Sequence, residues 1–142
     1  MELAILAILI LINGLFAMSE VALLTARKSR LATLARRGDT LAAAAIQLGT
    51  EPTRFLSTIQ IGITCIGLLS GIVSEAAFAA PLATWFHSLG LEQTASGIAA
   101  TAVVVIAVTY VSIVVGEIVP KRLGQRSAES TARLVALPMR AL

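Results

Sequence analysis

The sequence predicts an all-α membrane protein: three transmembrane helices, a helical hairpin at the cytoplasmic interface and a truncated fourth helix, packed as a dimer. Three observations carry that reading. Hydrophobic residues make up 57% of the 142 residues and charged residues only 13%, about half the ~25% usual in soluble domains. Three apolar runs each reach the ~20 residues that cross a bilayer. All 11 Lys and Arg fall on one side of those runs.

The first span covers about residues 3–26, with no charge before Glu20. A cleaved signal peptide is not expected, because Met1-Glu2 supplies no basic n-region and the positive charges follow the apolar run. Residues 28–50 form the hairpin: Leu31, Leu34, Ala35, Leu41, Ala45 and Leu48 recur at near-helical spacing, and Gly38-Asp39 divides them into two short helices. Its apolar face is expected either on an anionic leaflet or against a further cytoplasmic domain. The second span covers about residues 55–80 and is expected to end at Pro81; the third covers about 95–118. Residues 127–142 turn apolar again but stop too soon to cross, and read as the start of a fourth helix.

Orientation follows from the basic residues. Six of them (Arg27, Lys28, Arg30, Arg36, Arg37, Arg54) lie between the first two spans and five (Lys121, Arg122, Arg126, Arg133, Arg140) follow the third, while the connection near residues 81–93 has none. The positive-inside rule makes that side cytoplasmic and puts the N-terminus outside. The same distribution removes nucleic acid as a partner. The pI is near 9.8, yet aromatic residues are 4% of the chain and the charges sit in blocks rather than along one face. One cysteine (Cys65) and one histidine (His87) permit neither a disulfide nor a Cys/His zinc site. No nucleophile–base set or nucleotide loop can be assembled, so an enzyme is not expected.

An ionisable residue inside a span is costly and marks a functional position. Glu20, Glu75 and Glu117 qualify, with Glu75 near the outer end as a surface charge. The richest stretch is Gly116-Glu117-Ile118-Val119-Pro120-Lys121. Proline has no N–H, so the carbonyl of Gly116 loses its helical partner beside the Glu117 carboxylate. Two hard oxygens side by side suit Mg²⁺ or Ca²⁺. The plainer alternative is an i,i+4 ion pair between Glu117 and Lys121. In the second span, Gly67, Ser70, Gly71 and Ser74 share one face. That face serves close helix packing, or it offers Ser70 and Gly67 to an ion. Asn13 and Glu20 are seven apart on one face of the first span, a rise of only ~10 Å, so both can line one cavity.

Three stretches resemble one family. Asn13-Gly14-Leu15-Phe16-Ala17-Met18-Ser19-Glu20-Val21-Ala22-Leu23 with Arg27-Lys28-Ser29-Arg30-Leu31 is similar to the first-helix motif of CorC/CNNM (cyclin M) membrane domains. Arg54-Phe55-Leu56-Ser57-Thr58-Ile59-Gln60-Ile61-Gly62-Ile63-Thr64 and Gly116 to Lys121 match its second and third motifs. The resemblance implies a homodimeric magnesium or cobalt-resistance transport protein of the bacterial inner membrane, with Mg²⁺ as the transported ion and export coupled to Na⁺. It implies Ser19, Gly67, Ser70 and Glu117 as Mg²⁺ ligands, with Asn13, Glu20, Gly116, Pro120 and Lys121 shaping the cavity. The dimer is expected through small-residue helix faces in the lipid bilayer. Family members continue into paired CBS domains that bind ATP, which these 142 residues do not include. A membrane anchor and dimerisation module for such a regulatory part is the competing function.

Overall fold

A computed structural model describes residues 1–140; Ala141 and Leu142, the end of the expected fourth helix, lie outside the described residues. The chain is all-helical, with no strand among the described residues. Three stretches are long and apolar enough to cross a membrane: α1 (Glu2–Thr25), α4 (Pro52–Ser88), and the continuous run Gln93–Arg126. The last comprises α5 (Gln93–Ile113), a π-helical turn (Val114–Ile118) and α6 (Val119–Arg126). α2 (Lys28–Arg36) and α3 (Thr40–Thr50) form the hairpin, and α7 (Ala128–Arg140) ends the described chain.

Local chemistry sets the breaks. Gly38 has φ +91°, a left-handed position that closes α2 cheaply because glycine has no Cβ. Asp39 then caps α3, its Oδ1 accepting from the N–H of Leu41 at 3.0 Å and of Ala42 at 3.1 Å. Pro52 opens α4 at its first position, where a missing N–H costs nothing. Pro81, expected to end the second span, instead sits inside α4, which runs on to Ser88. A proline removes only the bond to Ala77, and membrane helices tolerate that single loss. Gly90 (φ +97°) turns the chain into α5.

Part of the hairpin's apolar face packs against the chain itself. Leu31, Ala42 and Ala45 pack with Ala22 at the end of α1 and with Ala132 and Ala136 of α7. Arg133 of α7 pairs with Asp39, and Arg30 lies 3.9 Å from Glu129. This alanine-rich layer closes the basic end of the molecule, so that α7 extends the packed layer rather than continuing alone.

Candidate cation site

The π turn organises the site. Pro120 cannot donate to Gly116, and the N–H of Val119 reaches back five residues to the carbonyl of Val114. Such turns widen a helix locally and recur at functional positions. The orphaned carbonyl of Gly116 faces α1, where Asn13 Nδ2 donates to it at 3.0 Å. The sequence expectation that this carbonyl stands free beside Glu117 is therefore corrected: an amide from a helix 103 residues away takes it up. Contact this close needs glycine. A Cβ at Gly116 would sit 3.1 Å from Asn13 Nδ2, and one at Gly14 would sit 3.0 Å from Pro120 Cγ.

Turned this way, Asn13 keeps its other amide atom unpartnered. Asn13 Oδ1 is buried and makes no hydrogen bond, a costly arrangement unless something in the adjoining space uses it. That space is a cavity of about 290 Å³ between α1, α4, α5 and the π turn. Asn13 and Glu117 line one side and Gly67, Ser70, Gly71 and Ser74 of α4 another. Thr109 and Ser112 of α5 add hydroxyls, and Ile63, Val105, Val108 and Ile113 form the rest. The wall is thus mostly apolar, with the hydroxyls, the Asn13 amide and the Glu117 carboxylate as its polar groups.

Of the four residues expected to ligate an ion, three (Gly67, Ser70, Glu117) share this cavity. Ser19 does not line it. Its side chain is fully buried and its hydroxyl donates to the Leu15 carbonyl at 2.6 Å. Glu20 and Lys121 lie beside the site rather than in its wall. Lys121 Nζ is 2.8 Å from Glu117 Oε1 and 3.5 Å from Glu20 Oε2, so the Glu117–Lys121 pair forms and a carboxylate of α1 joins it. Glu75 is exposed and apart. Thr109, Ser112 and Ser74 were not singled out as site residues from the sequence. The available signal was two small hydroxyl residues, Thr109 and Ser112, at i and i+3 near the end of α5 and in phase with Gly116. Among the described residues no group of three or more His, Cys, Asp or Glu could hold a metal. A cation here would be held by one carboxylate, neutral oxygens and its own waters.

Three helices long and apolar enough to cross a bilayer, among the described residues, define a multi-pass membrane protein. The chain belongs to the family described as the cyclin M transmembrane N-terminal domain, which matches residues 4–142. It is 42% identical to the UPF0053 protein sll0260 of Synechocystis sp. over 98% of this chain and 31% of that protein. It is 33% identical to the UPF0053 protein YhdT of Bacillus subtilis over 98% of this chain and 30% of that protein. It is also 30% identical to the polyamine export protein of Escherichia coli K12, over 93% of this chain and 29% of that protein. The chain spans about a third of the length of the curated relatives it matches.

Proposed function

We propose that this chain is the cation-binding membrane module of a magnesium transporter, exporting Mg²⁺ across the inner membrane in exchange for Na⁺. The observation that carries the reading is the pairing of Glu117 with the unpartnered Asn13 Oδ1 on one cavity. Mg²⁺ sheds water reluctantly and is commonly bound through one or two carboxylates with several waters retained. A single carboxylate among hydroxyls suits that habit. Six waters at about 30 Å³ each need about 180 Å³, which the cavity of about 290 Å³ can hold. Carboxylate, hydroxyl and water oxygens are ligands that suit Mg²⁺.

In this reading Glu117 is the charged ligand, Ser70 and Gly67 offer oxygens from α4, and Asn13 completes the set. Ser19 stays outside it, because it does not line the cavity. The basic end faces the cytoplasm by the positive-inside rule, so the N-terminus is outside. A homodimer closes the α4 face, where a Cβ at Gly67 or Gly71 would meet nothing within 4 Å. CBS domains of a longer protein would act on the basic end.

The test is Mg²⁺ flux in proteoliposomes. Glu117→Gln is expected to abolish it, and unchanged flux would overturn the assignment. Calorimetric titration separates this from the anchor-module reading, which predicts dimerisation without saturable Mg²⁺ binding.

A second reading is favoured by one contact: Glu117 already holds a primary ammonium, that of Lys121, at 2.8 Å. An organic polycation presents the same group, and one relative is named a polyamine export protein. Spermidine that displaces Mg²⁺ from the purified chain, and is itself carried into vesicles, would favour this second reading.

A further inference from the structure

We infer that Lys121 is a tethered competitor for the cation at Glu117, and that Glu20 is its second berth. The inference rests on the reading of the cavity as a cation site and says how that site fills and empties. A carboxylate at membrane depth needs a counter-charge when no ion is bound. Lys121, one helical turn on, supplies it at 2.8 Å. A local pair alone would be unremarkable, but Glu20 arrives from another helix and stands 3.5 Å from the same ammonium. It is held there because α1 crosses α6 almost backbone to backbone: a Cβ at Gly124 would lie 2.9 Å from the Met18 carbonyl oxygen.

One ammonium therefore faces two carboxylates, and its four-carbon stem is long and flexible. When a cation reaches Glu117, two positive charges at contact distance on one carboxylate repel each other. The ammonium moves the short way to Glu20 and stays paired. When the cation leaves, the ammonium returns to Glu117. Binding is thus an exchange of partners rather than the filling of a bare anionic site. Affinity is held down, which a transporter needs in order to release its cargo.

The test titrates MgCl₂ into the purified 142-residue chain in nanodiscs by calorimetry. Lys121→Met, which removes the competitor, is expected to tighten Mg²⁺ binding about three- to tenfold. Lys121→Arg is expected to weaken it, because a guanidinium grips a carboxylate through two bonds. A folding defect would weaken both, so opposite directions separate competition from damage. Glu20→Gln is expected to weaken binding by removing the second berth, and that effect should vanish in the Lys121→Met background. Unchanged or weaker binding in Lys121→Met, with Glu117→Gln still abolishing binding, overturns the inference and leaves the cation site standing. A Glu117→Gln chain that binds Mg²⁺ as the wild type does overturns both.

Discussion

The two ends of this molecule are held together by different physics. At the basic end, α2, α3, α7 and the last turn of α1 enclose a layer of small apolar residues, with Ala22, Ala42, Ala132 and Ala136 fully buried. Within the spans, less than a third of each apolar window is buried inside the chain, and large side chains such as Leu11, Leu68 and Ile106 point outward. Water drives burial at the first site; lipid, as apolar as leucine, supplies no such force at the second. The spans are joined by close backbone approach at Gly14, Gly116 and Gly124 and by the Asn13–Gly116 hydrogen bond. A functional cavity is compatible with the second kind of assembly, because few contacts need to be filled to hold it.

The largest expected effect breaks the lipid-side assembly. In an open helix Gly→Ala would stabilise by up to about 1 kcal/mol. At Gly124 the added Cβ meets the Met18 backbone oxygen at 2.9 Å, and a helix backbone cannot give way as a side-chain tip can. Gly124→Ala is expected to cost about 2 kcal/mol net, read as a fall in the thermal unfolding midpoint in detergent. It should also separate Glu20 from Lys121, weakening Mg²⁺ binding in parallel. A midpoint equal to that of the wild type would mean that the α1–α6 approach is looser than drawn.

A smaller effect is expected at the basic end. Asp39→Ala removes the oxygen that accepts both capping hydrogen bonds of α3 and the partner of Arg133, whose Nε already has no hydrogen bond. The expected loss is about 1–2 kcal/mol, with Mg²⁺ affinity unchanged because the cavity lies in the spans. Asp39→Asn keeps the cap and loses the ion pair, so it should recover about half of that loss. Thermal melts of the two variants check the split. Coupling of either variant to Mg²⁺ affinity would show that the two ends are one cooperative unit.

These contrasts also explain what the sequence could reveal. The three spans were legible because lipid demands long uncharged runs, and Gly38-Asp39 because a break in periodicity is local. Pro120 gave away the orphaned carbonyl of Gly116 for the same reason. Its partner Asn13 was not legible, since nothing local couples residues so far apart in sequence. The Glu20–Lys121 contact was hidden likewise, depending on glycines whose role appears only once two helices cross. Pro81 misled because the rule for interior prolines is written for water, where a freed carbonyl and a bend allow the helix to end. Ser19 was named by motif position, which assigns a residue to a family role without saying which way its hydroxyl turns.

The smallest expected effect sharpens the comparison most. Gly67 and Gly71 lie in a small-residue face that the sequence assigns equally to packing and to ion binding. Within the chain Ser70 and Ser74 of that face are buried, but a Cβ at Gly67 or Gly71 has no neighbour within 4 Å, although both glycines line the cavity. If the chain acted alone, Gly67→Ala should raise the unfolding midpoint slightly, by no more than the helix-propensity gain of about 1 kcal/mol. It would leave Mg²⁺ binding nearly intact, since a backbone carbonyl ligand survives the change. If a second copy covers the face, the same methyl group falls between two backbones. Stability then drops below that of the wild type, and the difference shrinks as protein is diluted in detergent and both become monomeric, because the lost contact is intermolecular. Measuring the midpoint of Gly67→Ala across a hundredfold dilution therefore decides whether the loosely joined half of the molecule is finished by lipid or by its own twin.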